Sequence, residues 1–108
     1  MAIKIHNVQE DAGSLQIWVP KLVGRVEDAV IEVAVLRGEG VEHFHSAYNE
    51  ALFVLRGKLS VISAGKVYDA EPLYLVIIEA GTAHRLRAAS ETTVLIVESA
   101  AEIRKTSR

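Results

Sequence analysis

The stretch that decides the fold reads GEGVEHFHSAYNE and spans residues 38–50. In an extended strand, successive side chains point to opposite faces. His43 and His45 are two residues apart, so we expect their imidazoles to point the same way and Phe44 to point the other way. The four residues between His45 and Glu50 are enough for a tight turn. The next strand could therefore return Glu50 beside the histidine pair.

A further histidine, His84, follows the turn at Gly81 and could add a ligand from another strand. Imidazole nitrogens together with one carboxylate are a donor set that suits a divalent transition metal. A site of this kind on rigid strands leaves coordination positions open for water or substrate, which a catalytic metal requires.

The rest of the chain has the periodicity of strands. Short apolar runs, rich in β-branched residues, cover 29–36, 51–55, 73–78 and 92–97. Glycine or proline interrupts the chain at short intervals, and several short strands with a turn about every ten residues predict an all-β sandwich or barrel. No long amphipathic helix is predicted.

The first motif carries a family resemblance. His43-x-His45, four residues, Glu50, six residues and Gly57 resemble the first conserved motif of the cupin superfamily. Gly38 lies one residue nearer His43 than in the commonest form of that motif.

A second motif is only partly present. Gly81-Thr82-Ala83-His84 resembles the end of the second cupin motif. The family usually has a glycine where Leu73 stands, a proline at Glu79 and an asparagine near Ala88. These differing positions are structural ones, and the histidine ligand is retained.

The resemblance implies an all-β cupin fold, which is a double-stranded β-helix or jelly-roll-like barrel with its core at about residues 28–98. Residues 1–24 would form an N-terminal strand region and residues 99–108 a short C-terminal tail of one single domain, 1–108. Matched by position, the resemblance implies that one divalent metal is held by four side chains inside the barrel: His43, His45, Glu50 and His84. The metal could be iron, manganese, zinc or nickel.

Composition excludes several kinds of chemistry. A chain of 108 residues has the length of one domain, and the lack of cysteine rules out disulfides, thiol catalysis and iron–sulfur ligation. The net charge of -2, without a basic run, gives no support for nucleic-acid binding. The longest apolar run, 73–78, is far too short to cross a bilayer. We therefore expect a soluble, cytoplasmic protein that binds neither nucleic acid nor membrane.

Other polar residues near the motifs have two interpretations each. Glu79 could be an extra carboxylate at the mouth of the site, able to act as a base, or a solvated turn residue. Tyr48 could contact a ligand or be an exposed turn residue. Arg85 and Arg87 alternate with His84 and are predicted to point away from it.

Some apolar residues are expected to lie outside the barrel interior. Leu52 and Val54 share the face of Glu50 and are predicted to line the interior, whereas Phe53 and Leu55 point the other way. That second face would need cover, either from an N-terminal strand containing Ile3 and Ile5 or from another subunit. A homodimer is therefore predicted. Trp18 is more often a packing residue than a binding residue.

Two functions remain open at the level of sequence. One is a metal-dependent enzyme, dioxygenase-like or isomerase-like, that acts on a small organic substrate. The alternative is a non-enzymatic module that binds a small ligand or a metal. Fold does not determine chemistry, so no catalytic residue is assigned beyond the ligands.

Overall fold

A computed structural model describes residues 2–44 and 47–101 of the chain. Within these residues, one short helix precedes seven strands: α1 (Val8–Ala12), β1 (Lys21–Val26), β2 (Ala29–Glu39), β3 (Glu50–Arg56), β4 (Leu59–Ser63), β5 (Lys66–Ala70), β6 (Leu75–Ile78) and β7 (Arg85–Ser99). The all-β prediction is confirmed, and the arrangement is that of a double-stranded β-helix.

Strand β7 organises the barrel because it pairs with three other strands. The hydrogen-bonded order is β1-β2-β7-β3-β6, and β4 pairs with both β5 and β7. Residues 85–87 of β7 pair with β4, residues 93–97 pair with β3, and β2 pairs with β7 over 87–99. All these pairings are antiparallel. One long strand thereby contributes to both walls of the barrel.

Alternation along the strands separates an interior from an outer face. Leu52 and Val54 on β3 are completely buried, as are Val94 on β7 and Leu59 on β4. They belong to one apolar cluster in the barrel interior. The interior positions of β3 match those predicted from the face of Glu50.

The outer face is covered on one side only. Val33 and Val35 of β2 pack outside the barrel with Ala12 of α1, together with Leu15 and Ile17. On the other side, β6 presents Leu75 and Ile77 to solvent, opposite Phe53 and Ala51 of β3. The second side is thus an apolar surface without cover from the described part of the chain.

Several local predictions were wrong or incomplete. Strand β5 and helix α1 were not predicted, β1 continues to Val26 beyond the strand region expected over 1–24, and the run predicted over 73–78 forms a strand only from Leu75. Leu73 has a left-handed backbone with a φ of 73°, which ends strand geometry there. Ile3 and Ile5 are exposed and lie in no strand. Within the described residues, no helix has the length and apolar character needed to span a membrane.

Candidate metal centre

The two motifs meet at a single rung of the barrel. His43 N donates to His84 O at 2.7 Å, and His84 N donates to His43 O at 2.8 Å. This reciprocal pair is an isolated antiparallel bridge between residues far apart in sequence. Residues opposite each other in an antiparallel pair share a face, and the two imidazole centroids lie 6.4 Å apart.

Glu50, the first residue of β3, contacts the His84 side chain. Its Oε1 lies 3.4 Å from His84 Nε2, and both side chains are buried, with relative exposures of 7% for Glu50 and 2% for His84. A buried carboxylate and a buried imidazole in contact form a charge-assisted pair. His43 is exposed.

The orientation of the His84 ring is fixed from its other nitrogen. His84 Nδ1 lies 2.9 Å from the carbonyl oxygen of Thr82, which can only accept a hydrogen bond. Nδ1 therefore carries a proton and Nε2 is directed at Glu50. A backbone carbonyl that orients a histidine in this way is typical of metal-binding sites.

The same contacts set the protonation of His84 in the metal-free protein. Burial alone lowers the pKa of the imidazole, but the Glu50 carboxylate, the Thr82 carbonyl and the more distant Glu42 outweigh it. The pKa of His84 is consequently raised above its ordinary value of 6.5. A metal that binds Nε2 would compete with a proton at that nitrogen.

Hydrogen bonds between loops hold the rung in place. Asn49 Oδ1, one residue before Glu50, accepts from Ala80 N at 2.9 Å, so the turn before β3 is joined to the turn before His84. Ser63 Oγ donates to Ala83 O at 2.7 Å from the end of β4. Gly81 has a φ of 82°, which glycine adopts without strain.

The donor set suits a divalent metal, although its members do not yet converge fully. Nitrogen from His43 and His84 and oxygen from Glu50 are suitable ligands for the metals considered above. Among residues 2–44 and 47–101, no three histidine or acidic side chains lie close enough together to hold a metal ion. His45, the fourth predicted ligand, lies outside the described residues.

A cavity of about 480 Å³ opens onto these three side chains. Its other described lining residues are apolar and come mainly from β2, β7 and the segment before β1. Trp18 is one of them. The sequence predicted a packing role for this residue. Its place in the cavity wall depends on tertiary contacts, which the sequence pattern does not predict.

The remaining sequence candidates lie away from the cavity. Glu79 is exposed, and its carbonyl accepts from Thr82 N at 3.1 Å in a turn. Tyr48 is exposed, and Arg85 Nε lies 3.6 Å from Glu39 Oε2 at the surface. His6 is exposed and lies 3.9 Å from Asp11.

Two buried carboxylates were not identified from the sequence. Glu32 on β2 and Glu98 on β7 have relative exposures of 7% and 3% and take part in interactions of their own. Ala51 faces Val97 across the β3–β7 pair, so the register brings Glu98 to the rung of Glu50. A period-2 pattern predicts their face, but neither residue lies in a motif that would single it out.

Fold and site together define a small β-barrel protein with an imidazole–carboxylate pair in the wall of a mainly apolar cavity. The family model described as Cupin domain matches residues 29–99, and the chain belongs to this family. No curated protein matches the chain in sequence.

Solved structures show the same fold at low sequence identity. A cupin-2 domain protein from Shewanella frigidimarina has a TM-score of 0.83 and 22% identity, covering 88% of this chain and 93% of that one. A conserved protein with a double-stranded β-helix domain from Klebsiella pneumoniae has a TM-score of 0.77 and 18% identity, covering 91% and 90%. Hydroquinone 1,2-dioxygenase from a Sphingomonas species, solved with 4-hydroxybenzoate bound, has a TM-score of 0.75 and 17% identity, covering 86% and 72%.

Proposed function

We propose that this protein is a metal-dependent enzyme that acts on a small organic substrate. One divalent metal would be held by His43, His45, Glu50 and His84. The observation that carries the proposal is the close approach of His84 Nε2 to Glu50 Oε1, 3.4 Å, in the wall of a cavity also lined by His43. Because this buried imidazole–carboxylate pair lines a cavity, a ligand that enters the cavity can reach it.

The protein's own residues would position the metal and exclude water. Thr82 O keeps the proton of His84 on Nδ1, so Nε2 is directed at the metal position. Glu50 would balance the charge of the metal from a buried position. His43 is exposed, so turning its ring toward the site costs little packing.

A bound divalent metal supplies Lewis-acid chemistry at an oxygen-bearing substrate or, as iron, chemistry with dioxygen. The similarity in fold to hydroquinone 1,2-dioxygenase supports dioxygen chemistry. An isomerase would need a second acid–base group. The described cavity wall offers only its three predicted ligands as titratable side chains, which favours dioxygen chemistry over proton shuttling.

Metal analysis of the purified protein tests the site. We expect about one equivalent of metal in the wild-type protein and none in the double variant His45→Ala/Glu50→Ala. The control is His6→Ala, which removes an exposed histidine beside Asp11 and should retain the metal. Retention of metal by a folded double variant would contradict the assignment.

The alternative is a binding module with the same barrel, which needs no acid–base group in the cavity. The two functions differ in turnover. An enzyme should convert at least one member of a panel of small phenols and enols, hydroquinone included, in a reaction that a chelator stops and added metal restores. A binding module should show only an increase in Tm with the same compounds.

We also infer a homodimer, because the outer face of β3 and β6 is apolar and lacks cover from the described residues. Strand β6 is an edge strand without a charged side chain, and natural proteins rarely leave such an edge open. The cytoplasmic location expected from the sequence stays a prediction.

A further inference from the structure

The wall of the cavity is apolar except at the three predicted metal ligands. Apart from His43, Glu50 and His84, every described lining residue is apolar or glycine. No lysine or arginine lies among the described residues of this wall. A charged group placed against such a surface would lose its hydration without gaining a partner, which costs several kcal/mol.

Trp18 forms a rigid part of this wall. Its φ of 68° is a strained value for a residue with a side chain. Two hydrogen bonds to β2 maintain the conformation: Trp18 N donates to Val35 O and Trp18 Nε1 donates to Arg37 O, both at 2.9 Å. The only polar atom of the indole is therefore already engaged, and carbon atoms are what the ring offers a ligand.

A close approach to Gly40 fixes the ring from another side. A Cβ at Gly40 would lie 2.9 Å from the Trp18 Cη2 atom and 2.9 Å from Leu86 O, so a side chain at Gly40 would displace the indole. Gly40 N donates to Leu86 O at 2.8 Å. Leu86 lies two residues after His84, about 7 Å along an extended strand. Trp18 and the proposed metal ligands His43, Glu50 and His84 thus line one cavity.

We propose that the ligand of this cavity has an uncharged, apolar body packed against Trp18, with an oxygen-bearing end directed at His43, Glu50 and His84. Trp18 is then a specificity-determining residue, because it selects for the apolar body and against a second charge. This inference rests on the proposed function for the oxygen-bearing end only. The apolar selection follows from the wall itself.

The test uses probes that share one metal-binding group. Acetohydroxamate and benzohydroxamate bind a metal through the same two oxygens and differ in a methyl or phenyl body, and 4-carboxybenzohydroxamate adds a charge to the phenyl ring. Trp18 is the only tryptophan in the chain. Its indole N–H therefore gives a single side-chain signal in a ¹⁵N-labelled sample of zinc-loaded protein.

We expect benzohydroxamate to bind at least about tenfold more tightly than either other probe and to shift the Trp18 signal, since its phenyl ring buries apolar carbons that the methyl group lacks and carries no charge. By calorimetry, Trp18→Ala should lose most of this preference while keeping its zinc and its affinity for acetohydroxamate. Trp18→Phe should restore part of it. Equal binding of the three probes by the wild-type protein, with no shift of the Trp18 signal, would overturn the proposal without needing any variant.

A metal-free arm separates this inference from the metal assignment. p-Cresol and 4-hydroxybenzoate differ only in a methyl or carboxylate group opposite the hydroxyl. In metal-free protein, p-cresol should shift the Trp18 signal at a concentration at least about tenfold lower than 4-hydroxybenzoate. A protein that binds no zinc but shows this preference would refute the proposed function alone. A protein that binds zinc and shows no preference in either arm would refute the role of Trp18 alone.

Discussion

At the scale of single residues, the site depends on how one imidazole is held. His84 is oriented by Thr82 O through Nδ1 and faces Glu50 Oε1 through Nε2. Both contacts come from residues near the ends of strands, where turns bring distant parts of the chain together. The ring is therefore already oriented for the proposed metal, which would reduce the cost of ordering it on binding.

Glu50→Gln should weaken zinc binding by at least about a hundredfold, because even an outer residue that only orients a ligand contributes 10–100-fold. The side chain keeps its size but loses the charge that faces the metal. Competition against a chromophoric zinc chelator measures the effect.

The matched control is Glu42→Gln, the same chemical change on an exposed residue just before His43. It should change zinc affinity by less than about threefold. Similar losses in both variants would mean that Glu50 acts only through general electrostatics and is not a ligand.

Gly57 shows how a motif position can support the fold without being part of the site. It has a φ of 87°, and a Cβ there would lie 2.5 Å from Thr92 Oγ1 and 2.7 Å from Glu91 O. Gly57→Ala should lower the free energy of unfolding by about 3 kcal/mol, through left-handed strain together with overpacking.

Gly65→Ala separates these two effects. Gly65 has a φ of 77°, but among the described residues no atom lies within 4 Å of the place that an alanine Cβ would take, so only the strain of roughly 1 kcal/mol applies. Urea unfolding of both variants measures the difference. Equal losses would show that the contact with Thr92 carries no energy.

At the scale of elements, the sequence predicted the strands with a continuous apolar pattern and missed the elements that are short or exposed. Strands β2 and β3 were predicted because alternating apolar residues continue over their length. Strand β5 is exposed along its length except at Ala70, so its sequence has little apolar periodicity. Helix α1 has five residues, too few for a helical pattern to emerge.

The grouping of side chains at the candidate site was also predictable only in part. The spacing of His43 and Glu50 placed both near one another, and the second motif added His84. The direct bridge between His43 and His84 could not be predicted, since it depends on the register of two distant segments. The role of Trp18 in the cavity wall could not be predicted for the same reason.

The turn before β6 has a residue that the family pattern replaces by glycine. Leu73 has a φ of 73° and a relative exposure of 73%, so it is strained and buries little surface. Removing the left-handed strain gains about 1–2 kcal/mol, and the greater freedom of glycine in the unfolded chain costs about 0.5–1 kcal/mol. Leu73→Gly should therefore raise the free energy of unfolding by about 0.5 kcal/mol.

Leu22→Gly is the matched control, because Leu22 is a similarly exposed leucine on β1 without positive φ. This variant should lose about 1 kcal/mol, since glycine weakens a strand. Urea unfolding at one protein concentration compares the two. A loss in Leu73→Gly as large as in Leu22→Gly would show that the strain is absent.

At the scale of the whole molecule, the two outer sides of the barrel differ in their cover. Helix α1 and the residues after it cover Val33 and Val35. The opposite edge exposes Leu75 and Ile77, whereas the edge strand β1 carries Lys21 and Arg25. Charges protect an open edge from pairing, so the uncharged edge is the one suited to a partner.

The homodimer proposed above would use this surface, since a twofold interface joins the same patch on both subunits. The wild-type protein should have a mass in solution of twice 11.8 kDa, and Leu75→Lys/Ile77→Lys should have the mass of one chain. Light scattering after size-exclusion chromatography measures both, and circular dichroism checks that the variant remains folded. Val67→Lys is the control, because it charges an equally exposed valine on β5 and should leave the dimer intact. A folded Leu75→Lys/Ile77→Lys variant with the wild-type mass would show that the subunits meet elsewhere, and a monomeric wild-type protein would show that this edge stays open in solution.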